Sequence, residues 1–219
     1  MTKILEVLFD NLMTFIYFIK SPDKIKRLRL YLKYGSKEIF LRDIYRSVNK
    51  YELSLDVGSY NGDSSIYLNE FVSSEVIAFE PSKKINNIKF KYNKYNIKTI
   101  KLPVLDGSLV SLIGDNLTCK TIKGGTIKSI KLSNYIKKNC FLKIDCEGSE
   151  YIIFKDLIKT NKIKFIKEFV CEFHIYENSE LGEILQYLEK YYYLHYRGDM
   201  CPLSRIKTRQ DLLIHGFLK

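Results

Sequence analysis

Leu53-Ser54-Leu55-Asp56-Val57-Gly58-Ser59-Tyr60-Asn61-Gly62-Asp63-Ser64, read with Val76-Ile77-Ala78-Phe79-Glu80-Pro81, decides the fold. A short apolar run ends in an acid, two glycines follow four residues apart, and a helix start comes next. That order is a strand, a tight turn and a helix N-terminus, the opening of a βαβ unit. Glycine belongs where φ turns positive or where a ligand must approach bare backbone. The second run is another strand, and Glu80 ends it about 20 residues on, where a carboxylate accepts hydrogen bonds from ribose hydroxyls.

The glycine spacing also selects the ligand. A dinucleotide site asks for G-x-G-x-x-G, and a phosphate loop for Gly-Lys-Ser/Thr. Here the pattern is Asp56-x-Gly58-x-x-x-Gly62, one glycine short and with an acid in front. That acid repels a pyrophosphate but suits the ammonium of a methionine moiety, which points to S-adenosyl-L-methionine rather than NAD or ATP.

A chain of 219 residues suits one α/β domain with a modest extension. The net charge of +11 resembles a nucleic-acid signature, but only seven of the 36 basic residues are Arg. Bidentate phosphate and base recognition favours Arg, whereas Lys scattered beside Ile and Asn solvates a surface. The five cysteines contain no C-x-x-C pair, and Cys140, Cys146 and Cys171 fall in expected strands. The chain reads as reduced and cytoplasmic, without a structural zinc. Glu6 and Asp10 break the early apolar segment, so no signal peptide is expected.

Residues 1–50 read as a helical N-terminal extension and 51–219 as the catalytic domain. Ser21-Pro22-Asp23 suggests a helix start, Gly35 a helix stop and Ser36 the cap of a third helix. The apolar run Leu12–Ile19 is too short to span a bilayer. It reads as core packing or a homodimer contact, with weak membrane-surface association as the sharper alternative, because basic residues follow it. Location is then cytoplasmic, at most peripheral to the inner face of the membrane.

From Leu53 onward strands alternate with helices, the mark of a mostly parallel sheet covered on both faces. Strands are expected at 53–57, 75–79, 97–104, 140–145, 164–173 and 191–196, with a reversed last strand near 211–218. Two period-2 segments around Gly124-Gly125, within 119–130, read as an inserted hairpin.

A second chemical cluster is Leu142-Lys143-Ile144-Asp145-Cys146-Glu147-Gly148-Ser149-Glu150. Alternation puts Lys143 and Asp145 on one face of a central strand, where charge is costly unless paired or used. Lys143 reads equally as a buried ion-pair partner or a functional group, and Asp145 as functional. Asp56, Glu80, Asp145 and His174 should gather at the carboxyl ends of the strands, where open α/β sheets bind ligands.

Asp56 to Gly62, Ala78-Phe-Glu-Pro81 and Leu142 to Glu150 together resemble the three signature blocks of FkbM-type methyltransferases, with the likeness running from about Leu53 to His174. The resemblance implies an S-adenosylmethionine-dependent O-methyltransferase of Rossmann-like class I fold with a seven-stranded sheet. It further implies a hydroxyl acceptor on a sugar, glycan or related small molecule. The expected cofactor residues are Asp56, Gly58, Ser59, Asn61, Gly62, Glu80, Pro81 and Asp106, with Asp56 meeting the ammonium directly or through water, Glu80 at the ribose and Asp106 near the adenine. Asp145 is the first choice to deprotonate the acceptor and His174 the second. Lys143 would keep Asp145 ionised, and Glu147 or Glu150 would orient the acceptor. Where the family has Leu-Asp before the fourth strand, this chain has Leu132-Ser133-Asn134, whose Ser or Asn can cap the helix there.

Two other functions compete. An RNA-modifying methyltransferase draws on the charge and on the basic–aromatic run Lys89–Tyr95, though nucleic acid is not the expected partner. A non-catalytic module would keep the fold only to bind. No metal site is expected, because Glu172 and His174 share one face, hard cations want more oxygens, and the acid is missing at Ser133.

Overall fold

The computed structural model describes residues 11–16, 18–20, 23–82, 94–114, 120–175, 181–197 and 210–219. The chain divides into two compact units, Met1–Val48 and Asn49–Lys219.

The first unit is helical over residues 11–16 and 18–20, then over α1 (Lys24–Tyr34) and α2 (Lys37–Phe40). Gly35 ends α1 as its sequence predicts, with φ +86° and its N–H on Tyr31 O at 2.7 Å. The caps differ from expectation. Asp23 occupies the N-cap of α1 in a left-handed conformation, Ser36 precedes α2, and neither side chain makes a capping bond. Ser21 and Pro22 lie outside the described residues. A buried ion pair, Arg27 Nη1 to Asp43 Oδ1 at 2.7 Å, and a bond from Arg42 Nε to Thr14 Oγ1 at 2.9 Å tie this unit together.

The second unit is built on a seven-stranded sheet of β1 (Tyr51–Val57), β2 (Ser73–Phe79), β3 (Ile97–Ile100), β7 (Cys140–Ile144), β8 (Ile166–Ile175), β9 (Tyr192–Arg197) and β10 (Gln210–Leu218). Its order is β3-β2-β1-β7-β8-β10-β9, with only β10 antiparallel to its neighbours. All seven strands expected from the sequence are present. Helices α3 (Asp63–Phe71), α4 (Glu150–Lys159) and α5 (Leu181–Tyr191) accompany them. Alternate positions along the central strands are apolar, so one face of the sheet packs against helices. Thus Leu53, Leu55, Val57, Leu142, Ile144, Phe169, Cys171 and Phe173 join one core with Phe154 and Leu157 of α4. Cys140 and Cys171 are fully buried and free; Cys146 lies just past β7 and is half-buried.

Three local expectations give way. The strand expected at 97–104 stops at Ile100, and Pro103, which has no N–H to donate, follows it before a bridge from Val104 to Ile130. The expected hairpin is instead a three-stranded sheet. In it β4 (Leu109–Ile113) lies between β5 (Lys120–Lys123) and β6 (Ile127–Lys128), antiparallel to both. Gly124-Gly125 carries the chain across β4, and a Cβ on Gly125 would stand 2.1 Å from the Val110 carbonyl. The helix expected at Ser133 is one 3-10 turn, Leu132–Tyr135, begun by Lys131. There the Ser133 N–H donates to Asp156 Oδ2 at 3.3 Å, so an acid from α4 does the capping. The run Lys89–Tyr95 is described only from Lys94, and Cys119 and Cys201 also lie outside the described residues.

Candidate active site

The sheet order reverses between β1 and β7, and a cavity of about 230 Å³ opens at the carboxyl ends of the strands there. Its walls come from four strand ends and the loops that follow: Val57, Gly58 and Tyr60 at β1; Phe79, Glu80 and Pro81 at β2; Leu102, Pro103 and Val104 beyond β3; and Asp145, Cys146, Glu147 and Ser149 beyond β7. Thr121 of β5 adds one more side chain. Two lining residues, Tyr60 (φ +46°) and Glu147 (φ +58°), hold left-handed backbone without being glycine, a strain that concentrates at binding sites.

The glycine loop is held from three sides. Gly58 has φ +75°, and a Cβ there would lie 1.7 Å from the Asp145 carbonyl oxygen, so no side chain fits between the β1 and β7 loops. The Gly58 and Ser59 N–H groups both donate to Phe79 O, at 3.0 and 3.2 Å. Gly62, at φ +79°, is the N-cap of α3, and Asn61 bonds Asp63 through both side-chain atoms. Ser59 Oγ is buried without a hydrogen-bond partner among the described residues.

Glu80 Oε2 accepts the Tyr60 N–H at 2.8 Å and Oε1 accepts the Ser82 N–H at 2.9 Å. Each oxygen keeps a second acceptor position on a side chain that lines the cavity, so Glu80 can still take a pair of ribose hydroxyls. Beside it, Phe79, Pro81 and the Leu102–Val104 turn offer an apolar slot for a base. These features fit an adenosine-containing ligand.

Asp56 is engaged beneath the glycine loop. The parallel register sets Asp56 beside Lys143, and both are buried. Lys143 Nζ lies 3.2 Å from Asp56 Oδ1, while Oδ2 accepts Ser64 Oγ at 2.7 Å and Ser65 Oγ at 2.5 Å. The carboxylate is committed beneath the loop and does not line the cavity, so it does not meet an ammonium directly. Lys143 Nζ donates to Gly58 O at 2.6 Å and Val57 O at 3.3 Å, making it the cation that fastens the glycine loop. Its distance to Asp145 Oδ2 is 3.9 Å.

His174 of β8 lies buried behind the site. Its Nδ1 lies 2.9 Å from Glu150 Oε1, and its Nε2 faces Glu147 at 3.7 Å and Asp145 at 4.0 Å. Burial of the ring opposes its charge, but the hydrogen bond and attraction of Glu150, joined by Asp145 and Glu147, outweigh that and raise the pKa to about 9. The ring stands behind the carboxylates rather than on the cavity wall. Glu150 is fully buried, and Oε1 also accepts the Cys146 and Gly148 N–H groups, both at 3.1 Å. It clamps the loop after β7 and does not line the cavity. Burial raises its pKa, yet His174 pulls it below the ordinary carboxylate value.

Asp106 does not line the cavity. Its Oδ2 pairs with Lys123 Nζ at 2.6 Å and Oδ1 accepts the Ser108 N–H, and these bonds hold its carboxyl well below the usual range. Among the described residues no three His, Cys, Asp or Glu side chains form a metal-binding set. Sequence reasoning missed Tyr60, Thr121, Cys146 and Ser149 as wall residues. Pro103, standing after a strand, carried a signal; Thr121 carried none.

The profile of the Methyltransferase FkbM domain matches residues 56–194. A search of curated proteins finds no match. Among solved structures, a protein of Listeria monocytogenes assigned as an S-adenosylmethionine dependent methyltransferase is 13% identical with a TM-score of 0.50, over 83% of this chain and 97% of that one. An rRNA methylase from Streptococcus thermophilus is 13% identical with a TM-score of 0.46, over 92% and 99%. A Streptococcus mutans protein assigned as a methyltransferase, crystallised with SAH, is 14% identical with a TM-score of 0.44, over 78% and 90%. At this identity the likeness concerns the fold.

Proposed function

The chain belongs to the FkbM methyltransferase family and uses S-adenosylmethionine, and from that premise we propose that it methylates a hydroxyl of a sugar, glycan or related small molecule. S-adenosylmethionine supplies a sulfonium-bound methyl group that an oxygen nucleophile attacks. The chain must hold the acceptor in line, exclude water and remove one proton. Gly58, Glu80, Pro81 and the Leu102–Val104 turn would hold the cofactor.

One observation carries the hydroxyl reading. The Asp145 carboxylate is 31% exposed on the cavity wall between two cations, at 3.9 Å from Lys143 and 4.0 Å from His174. Those distances are too long for hydrogen bonds, so its oxygens remain able to accept an acceptor proton. Glu147 stands against the same His174 Nε2 and offers a second acceptor for an adjacent hydroxyl. The described lining contains Glu80, Asp145 and Glu147 but no Lys or Arg, which disfavours an RNA backbone.

Methyl-labelled cofactor offered with nucleotide sugars, free glycans and rRNA tests this. Labelling of a hydroxyl compound, lost by about 10²–10⁴-fold in Asp145→Asn with cofactor affinity retained, is expected. Labelling of rRNA alone would install the RNA reading, and cofactor binding without transfer the binding module. Full turnover in Asp145→Asn would remove the assigned base.

A further inference from the structure

We propose that the outward face of the N-terminal unit docks on an anionic phospholipid bilayer, with α1 lying in the plane of the interface. This goes beyond methyl transfer and does not rest on it. Along α1, Arg27 and Leu30 are buried, while Ile25, Leu28 and Leu32 are 70%, 40% and 75% exposed. These three stand at i, i+3 and i+7, within roughly 60° of arc on a helix of 3.6 residues per turn. An ordinary surface helix turns its apolar stripe inward and its charges outward. Here the solvent side is aliphatic at its centre and rimmed by exposed cations, with Lys26, Arg29 and Lys33 along one flank and Lys24 along the other.

The preceding helical segment repeats the arrangement. Leu12, Phe15 and Ile19 are 54%, 59% and 47% exposed, again at i, i+3 and i+7. On the other side Thr14 is buried against Arg42, and Asn11 holds Lys37 Nζ at 3.0 Å. Their outward orientation is therefore set by bonds within the unit. Residues 1–48 carry ten Lys and Arg against five Asp and Glu.

Charge decides between occupants. A second copy would bring the same cations face to face. A nucleic acid would meet aliphatic side chains at the centre, where stacking or hydrogen-bonding groups are needed. An anionic bilayer satisfies both parts: the aliphatic stripe enters the acyl boundary, and Lys and Arg extend to the headgroups. No described helix is long and apolar enough to cross a membrane, so the contact is interfacial.

Flotation of the full chain with vesicles of phosphatidylcholine, alone or mixed with phosphatidylglycerol, tests this at low and high salt. Binding to mixed vesicles at low salt is expected, weakened by salt and by omission of the anionic lipid. Ile25→Ser with Leu32→Ser should lower partitioning about tenfold or more, with melting temperature and cofactor affinity unchanged. No flotation with mixed vesicles, or a double variant that floats like the parent, overturns the proposal. A dimer that dissociates in the double variant while flotation persists assigns the face to a second copy and overturns it equally.

Discussion

His174 and Glu150 form a buried pair across 24 residues of sequence, Nδ1 to Oε1 at 2.9 Å, that keeps a positive charge directly behind the carboxylates of the cavity. Glu150 is thus shared between the β7 loop N–H groups and β8, and the loop carrying Asp145 and Glu147 is shaped by a residue from each side.

The pair sets a pH dependence. His174 is raised from 6.5 to about 9, so the native state binds the extra proton and stability falls as pH rises. Its contribution is full below 6.5 and lost by about 9, on the order of 3 kcal/mol from the size of the rise. Glu150 is lowered, so its contribution is present above its ordinary 4.5 and lost as pH falls. Urea unfolding of the parent should weaken between pH 6.5 and 9, and His174→Gln should flatten that decline. An equal slope in both would show that another group sets it.

Glu80 combines loop clamping with ribose recognition. Glu80→Ala should weaken cofactor binding by about 1.5–3 kcal/mol, roughly 10–150-fold, read by calorimetry. Unchanged affinity would sink the assignment of the adenosine site.

Two glycines with similar φ make a controlled comparison. Gly58→Ala places a methyl 1.7 Å from Asp145 O, whereas Gly35→Ala meets nothing within 4 Å. Gly35→Ala should cost only the left-handed penalty of about 1–2 kcal/mol. Gly58→Ala should cost about 2–5 kcal/mol and abolish cofactor binding. Equal midpoint shifts in urea would contradict the close packing of the β1 and β7 loops.

Lys143→Met leaves Asp56 buried without its cation, and a loss of about 3–5 kcal/mol is expected. Adding Asp56→Asn should recover part of it. A double-mutant cycle with no coupling would mean that Lys143 acts only through the Gly58 and Val57 carbonyls.

Local signals made much of the fold legible. The apolar run into Asp56, the glycines, Glu80 and the Lys143–Glu150 block each report on their own stretch of backbone. Where the readings failed, a distant group intervened. Gly124-Gly125 resembles a hairpin turn until β4 passes beneath it, and Ser133 resembles a cap until Asp156 supplies one. Asp106 resembles an adenine ligand until Lys123 takes its carboxylate.

Sequence alone determined the seven strands of the main sheet, the glycine loop and the acid at the end of β2, because period, turn chemistry and φ preference are properties of neighbouring residues. Only the tertiary structure decided which charges are available. Asp56 is consumed because parallel register places Lys143, 87 positions on, beside it. His174 is cationic because Glu150 reaches its buried ring, and Asp145 stays available because both cations stop near 4 Å. Protonation and exposure depend on what the fold brings within a few ångströms, and no local pattern encodes that distance.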